Sequence, residues 1–175
     1  MNFNVSLFFT VNKLVGRNRW LDLFGRAGAE FVVIAMFGWY IGSVFLSGNI
    51  SRPAVLVRTM TLAVAWLLGW LIDLAIGAIV KEPRPQVKYP ETKVLFQPMM
   101  IWKSFPSDHA MSAFLMVFLS LLFGLPGVEG LFIMALWVCW GRVYCGLHYP
   151  FDLVGGMTVA ALVTVISYNV LLILF

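Results

Sequence analysis

The stretch "LVRTMTLAVAWLLGWLIDLAIGAIV", residues 56–80, is apolar for long enough to cross a lipid bilayer as one helix. Asp73 is the one ionisable residue in its interior. Of the 175 residues in the chain, 61% are hydrophobic and 11% are charged, whereas a soluble domain carries about 25% charged residues. The composition therefore predicts an integral membrane protein and excludes an ordinary soluble domain.

Four further apolar runs lie on either side of this stretch, at about 29–46, 108–123, 130–147 and 153–175. We predict an all-α fold, namely a polytopic membrane helix bundle with about five transmembrane helices. Gly38 and Gly42 in the first run have the four-residue spacing that lets helices approach closely. A packing role is therefore expected for both glycines.

The amino-terminal segment is more polar than these runs. Apolar side chains recur at helical spacing between residues 3 and 15, but the segment is too short and too polar to span a bilayer. It predicts an amphipathic helix in the membrane interface, followed by Trp20 and three arginines as headgroup anchors. We expect residues 1–27 to form this helix and its anchor within a single integral membrane domain over residues 1–175.

Three polar clusters lie at the ends of predicted helices: "KEPRP" at 81–85, "PSDH" at 106–109 and "RVYCGLHYPFD" at 142–152. The long polar segment at 81–107 holds five of the eight prolines of the chain, so it predicts a loop rather than a continuous helix. If successive helices cross the membrane in opposite directions, all three clusters emerge at one face. Their convergence predicts an active site in which residues 81–107 form the loop.

Four residues of these clusters suit a phosphate group. Arg84 and Arg142 can bind phosphate oxygens in pairs through planar guanidinium groups, and Lys81 adds a positive charge one helical turn from Arg84. Ser107 is placed to cap the helix after it, where free backbone N–H groups also attract an anion. The alternative, in which these cations only reach lipid headgroups, leaves the histidines of the clusters unexplained.

The chain has two histidines, His109 and His148, and both lie in these clusters. Asp152 follows His148 by four residues, so on a helix its carboxylate can reach one imidazole nitrogen and leave the other free as a nucleophile. His109 comes from a different predicted helix and can protonate a departing oxygen. The three residues predict a nucleophile, an orienting carboxylate and a general acid beside a cationic pocket.

These motifs resemble those of the type 2 phosphatidic acid phosphatase superfamily over about residues 25–175. "RP" at 84–85 is similar to the end of the first motif of that family, "PSDH" to the second, and "RVYCGLHYPFD" to the third. The resemblance implies a membrane lipid phosphate phosphatase that needs no metal or other cofactor. It also implies residue roles: His148 forms a phosphohistidine, Asp152 orients it, His109 protonates the leaving group, and Arg84, Arg142, Ser107 and a lysine bind phosphate.

The chain departs from the family pattern at three positions. Gly77 stands where the first motif has a lysine, and we hypothesise that Lys81 supplies that charge from one turn further on. Gly141 stands where the third motif has a serine. Asp108 replaces a glycine of many members, and the resulting "FPSDHA" is similar to polyprenyl diphosphate phosphatases of the family.

Asp73 and Asp108 are candidates for a supporting role around the phosphate pocket. Asp73 lies two helical turns before Lys81, and an ionisable residue inside a membrane span is expected to be functional. We predict that Asp73 pairs with Arg142 or Lys81 beneath the pocket. The alternative is a protonated or water-solvated carboxyl near the interface.

An active face at the membrane surface suits a substrate whose phosphate is in the headgroup and whose tail stays in lipid. Undecaprenyl diphosphate is the leading candidate, while the lipid A 1-phosphate group, phosphatidylglycerol phosphate and phosphatidate stay open. A non-catalytic protein that binds or transports a lipid phosphate is the alternative from another class. Nucleic acid is not an expected partner, because the chain has no lysine- and arginine-rich run.

Basic residues are distributed unevenly between the two predicted faces. The face with the polar clusters carries ten of the twelve, and the other face carries Arg52 and Arg58. Applied to this count, the positive-inside rule places the active face in the cytoplasm. The resemblance to bacterial members implies instead a multi-pass protein of the bacterial inner membrane with a periplasmic active site, and this is the orientation we expect.

Overall fold

The computed structural model describes residues 3–48, 51–98 and 100–174, which are helical or irregular throughout. The helices in these ranges are α1 (Phe3–Asn12), α2 (Arg19–Glu30), α3 (Val32–Leu46), α4 (Arg52–Val80), α5 (Pro85–Lys88), α6 (Asp108–Leu122), α7 (Val128–Tyr144) and α8 (Pro150–Leu174). They confirm the predicted all-α membrane helix bundle. Residues 1–2 and 175, at the ends of the expected domain, residues 49–50, and residue 99 in the expected active-site loop lie outside the described residues.

Two helices, α4 and α8, are each long and apolar enough to cross a membrane, and α2 with α3 forms a third such element if the bent pair counts as one span. The axes of α2 and α3 differ by 54°. The first predicted run, 29–46, corresponds to α3, and the helix before it, α2, begins at Arg19. Hydropathy did not mark α2 because its charged residues, Arg19, Asp22, Arg26 and Glu30, recur every three or four positions along it.

The centre of the bundle is α6, which packs against α3, α4, α7 and α8. Ten of its fifteen residues are buried, among them Met111, Leu115 and Leu119. Small side chains such as Ala110 and Ala113 let neighbouring helices approach it on several sides. The first turn of α6, which carries part of the second motif, is therefore held in the interior of the bundle.

The predicted packing role of Gly38 and Gly42 is wrong, because a Cβ atom added at either would meet no atom within 4 Å. The close approach occurs between α2 and α7. A Cβ atom on Gly141 would lie 2.6 Å from the backbone nitrogen of Ala29 and 2.8 Å from the carbonyl oxygen of Gly25. The two backbones are in contact there, which explains why a side chain is absent at residue 141.

The amino-terminal helix is present as α1, and it also contacts the protein. Phe8 is fully buried and its ring packs edge-on against Tyr149, with ring centroids 5.5 Å apart. Asn12 is buried, and its Nδ2 donates to the carbonyl oxygens of Lys93 (2.8 Å) and Tyr144 (2.9 Å). Its Oδ1 accepts from the backbone N–H of Lys93 at 3.0 Å. Helix α1 is thus bonded to the 81–107 loop and to the end of α7.

We expect Gly141→Ser to lower the free energy of unfolding by about 1–3 kcal/mol, because the added side chain forces α2 and α7 apart. The thermal midpoint of the purified protein in detergent measures this effect. Gly38→Ser is the matched control, since the same change is made in a helix with open space around it. Equal midpoints for the two variants would contradict the tight α2–α7 contact.

Candidate active site

His148 lies in the turn between α7 and α8 and is 1% exposed. Its Nδ1 is 2.9 Å from the carbonyl oxygen of Ser104. Because a carbonyl oxygen can only accept, Nδ1 carries the proton and Nε2 presents a lone pair. Nη1 of Arg84 and Nη2 of Arg142 each lie 3.2 Å from Nε2. Two cations therefore converge on the one ring nitrogen that is free to react.

Backbone carbonyl oxygens hold both guanidinium groups in place. Arg84 donates through Nε to Met100 and through Nη1 to Leu147, both at 2.7 Å. Arg142 donates through Nη1 to the carbonyl oxygen of Ala29 at 3.0 Å. Ala29 is in the last turn of α2, where carbonyl groups lack partners within the helix. The bend between α2 and α3 therefore supplies the acceptor that orients Arg142.

Asp152 is fully buried near His148, but the nearer partner of the imidazole is Ser104. Oδ2 of Asp152 lies 3.4 Å from Nδ1 of His148. The same oxygen accepts from the Ser104 hydroxyl at 2.5 Å and from the backbone N–H of Tyr149 at 2.8 Å. Asp152 thus positions Ser104, whose carbonyl oxygen in turn orients the imidazole.

The sequence did not point to Ser104, which is fully buried. Nothing in its sequence context distinguishes it from other serines in a proline-rich loop. Its position follows from the fold of the loop, in which its backbone N–H donates to the carbonyl oxygen of Glu82 at 2.8 Å.

The first turn of α6 brings Ser107, Asp108 and His109 to the site. Ser107 is the N-cap that the sequence predicted, and its hydroxyl accepts from the backbone N–H of Ala110 at 3.5 Å. Its own backbone N–H donates to the carbonyl oxygen of Asp152 at 3.1 Å, which joins the starts of α6 and α8. The second and third motifs are therefore bonded directly to each other.

A cavity of about 330 Å³ lies against Arg84 and Arg142, the two residues that contact the imidazole of His148. Its polar side is formed by Arg84, Arg142, His109, Asp108 and Glu30. Its apolar side is formed by Val33, Ile34, Phe96, Pro98 and Met100, and Gln97 completes the lining. No group of three His, Cys, Asp or Glu side chains that could hold a metal ion occurs within residues 3–48, 51–98 and 100–174.

Lys81 and Asp73 are not among the residues that line the cavity, and neither are Ser107, His148 and Asp152. Lys81 is exposed at the C-cap of α4. Asp73 is fully buried, and the charged groups that act on it are Asp108 and Lys103 rather than Arg142 or Lys81. Lys103, which the sequence did not single out, is also fully buried.

The surroundings of His148 favour the neutral imidazole. Burial lowers the pKa of His148 well below its ordinary value of 6.5, and the charges of Arg84 and Arg142 act in the same direction. The ring therefore keeps its nucleophilic lone pair at neutral pH. Burial also lowers the pKa of Arg84, while the carboxylates of Asp108 and Asp152 oppose that shift.

Comparison with known proteins gives consistent matches. A model of the PAP2 superfamily matches residues 58–173. The undecaprenyl-diphosphatase BcrC of Bacillus subtilis (strain 168) is 30% identical over 166 residues, which cover 91% of this chain and 80% of that protein. The crystal structure of Aquifex aeolicus LpxE has the same fold, with a TM-score of 0.72 and 24% identity over 97% of this chain and 96% of that chain. A PAP2 type phosphatidylglycerolphosphate phosphatase from Bacillus subtilis gives a TM-score of 0.64 and 18% identity over 97% of this chain and 86% of that chain.

We expect Ser104→Ala to lower kcat for phosphate release from a lipid phosphate and to change KM little. The variant removes a buried hydrogen bond to Asp152, and a bond of this kind to a charged group is worth about 1.5–3 kcal/mol, or about 10- to 150-fold in rate. Ser120→Ala is the matched control, because the Ser120 hydroxyl is equally buried but has no hydrogen-bond partner among the described residues. Equal kcat values for the two variants would refute a role for Ser104.

The pH dependence of kcat/KM tests the state of His148 in the free enzyme. An unperturbed histidine takes up a proton as the pH falls through 6.5, whereas the lowered pKa of His148 delays that uptake to a lower pH. We therefore expect the acid limb of the profile to lie below pH 6.5. In Arg84→Gln, which removes one of the two cations, the acid limb of the remaining activity should move to higher pH. An acid limb at or above 6.5 that does not move would argue against this assignment.

Proposed function

The chain belongs to the PAP2 superfamily of membrane lipid phosphatases, and on that premise we propose that it removes the terminal phosphate of undecaprenyl diphosphate. The observation that carries the proposal is the buried His148 ring, whose free Nε2 faces Arg84 and Arg142 at 3.2 Å. A proton on Nδ1 and two cations beside Nε2 are what nucleophilic attack on a phosphate requires.

In the proposed reaction, Nε2 of His148 attacks the terminal phosphorus. A P–N bond forms as the P–O bond to the leaving group breaks, and His109 gives a proton to the departing oxygen. Arg84 and Arg142 bind the oxygens on which charge develops, and the capped N-terminus of α6 at Ser107 adds backbone donors. Water then attacks the phosphorus of the phosphohistidine: a P–O bond forms, the P–N bond breaks and the proton of the water passes to His109. Inorganic phosphate leaves, and both histidines return to their starting states. No step draws on a metal or other cofactor, as the family resemblance implies.

The shape of the cavity supports a lipid with a small headgroup. At about 330 Å³ it lies at the lower end of ligand pockets, which span about 300–1,000 Å³. Its apolar side includes Ile34, whose side chain is 66% exposed on the outside of α3. A phosphate bound at the arginines can therefore keep its attached tail in the lipid beside α3. A polyprenyl diphosphate fits because its headgroup is the diphosphate alone, and the name of the relative BcrC agrees with this choice.

The test measures phosphate release by purified protein in detergent with EDTA present. Undecaprenyl diphosphate, a lipid A 1-phosphate, phosphatidylglycerol phosphate and phosphatidate are compared side by side. We expect the highest kcat/KM for undecaprenyl diphosphate and a loss of about 10³-fold or more in His148→Gln. An alkaline quench should retain labelled phosphate on the wild type and none on His148→Gln, because a phosphohistidine is stable in alkali.

The variant His109→Gln tests the role of His109 as general acid separately from the role of His148 as nucleophile. With p-nitrophenyl phosphate, whose leaving group departs without a proton, this variant should lose much less rate than with the lipid. A preference for another lipid would reassign the substrate, and abolition by EDTA would reject the metal-free reaction. Binding without turnover by the wild type would favour the non-catalytic alternative.

A further inference from the structure

Gly77 on α4 leaves a space that the side chain of Lys103 fills. A Cβ atom added to Gly77 would lie 2.5 Å from Cδ of Lys103 and 3.3 Å from the carbonyl oxygen of Phe105. The aliphatic part of Lys103 therefore runs directly across the glycine. The side chain of any other residue at position 77 would displace the side chain of Lys103.

The ammonium group of Lys103 is fully buried, and its main contact is a carboxylate. Nζ lies 2.7 Å from Oδ1 of Asp108 and donates to the carbonyl oxygen of Pro106 at 3.4 Å. The side chain of Lys103 is 1% exposed, whereas that of Asp108 is 19% exposed. Asp108 thus lies between the buried ammonium group and the cavity, whose wall it helps to form.

A carboxylate in the wall of a phosphate cavity opposes the binding of phosphate. Asp108 acts electrostatically on both Arg84 and Arg142, so its charge offsets theirs. A compensating cation is needed there, and Lys103 is the one in contact with Asp108.

We propose that Lys103 is a positioning residue for the phosphate site, which acts through Asp108 by neutralising its carboxylate at the cavity wall. The proposal rests on the proposed function, because it assumes that the cavity binds the phosphate group. It assigns to Lys103, entering from the loop, the supporting charge that Lys81 was expected to supply from the end of α4. Lys81 is exposed there and does not line the cavity.

The experiment measures the inhibition constant of orthovanadate, a tetrahedral phosphate analogue, together with kcat and KM for undecaprenyl diphosphate. Lys103→Met keeps the length of the side chain and removes its charge. We expect its inhibition constant and KM to rise by about tenfold or more, because the unpaired Asp108 carboxylate then repels the anion. Lys88→Met, at an exposed lysine of α5 that does not line the cavity, is the control and should stay within about twofold of the wild type.

The double variant Lys103→Met/Asp108→Asn distinguishes charge compensation from a general loss of structure. Removing both charges should return the inhibition constant to within about threefold of the wild type. An effect of Lys103→Met that persists in the double variant would overturn the proposal, as would an unchanged inhibition constant in Lys103→Met.

Asp108→Asn alone tests the same idea if Lys103→Met does not fold. It leaves the ammonium group uncompensated, so orthovanadate should bind more tightly, and weaker or equal binding would count against the proposal. Measurements on the wild type distinguish failure of the proposed function from failure of the proposed role of Lys103. A wild type that neither cleaves the lipid nor binds orthovanadate would end both proposals, whereas an active wild type with unaffected variants would end only this one.

Discussion

Guanidinium groups that are shielded from water need oxygen acceptors. In this protein the acceptors are backbone carbonyl groups at the places where helices end or bend. A regular helix uses its carbonyl groups internally, so acceptors are available only where helices end or bend. Arg84 donates hydrogen bonds to the carbonyl oxygens of Met100 and Leu147, and Arg142 donates to that of Ala29. These oxygens belong to the long loop, the α7–α8 turn and the end of α2. Because these non-helical segments meet at one place, Arg84 and Arg142 can both be buried beside the imidazole of His148.

The same principle explains the irregular loop. Ser104 makes three hydrogen bonds to different parts of the site. Its N–H donates to the carbonyl oxygen of Glu82, its hydroxyl donates to Oδ2 of Asp152, and its carbonyl oxygen accepts from Nδ1 of His148. A residue within a helix could not do this, because its N–H and carbonyl would already be paired. The prolines of the loop prevent helix formation and keep such backbone groups available.

Much of the bundle and of the reacting set could be predicted from sequence, because hydrophobic runs and fixed spacings are local signals. Most of the long helices and the cap at Ser107 were found in this way, whereas α2 was not. Ser104 and Lys103 could not be found, since their roles depend on contacts between segments that no local pattern encodes. Gly38 and Gly42 show the converse, because a helix-packing spacing does not reveal whether a neighbouring helix is present.

The hydrogen bonds of Asn12 attach the amino-terminal segment to the loop that forms the active site. Its side-chain amide both donates to and accepts from the backbone of Lys93, as a neighbouring strand would. The family match begins at residue 58, yet Asn12 and Ala29 lie before it and supply polar atoms that the loop and Arg142 require. The segment that matches the family model therefore depends on residues 3–30, which supply hydrogen-bonding partners for its polar interior.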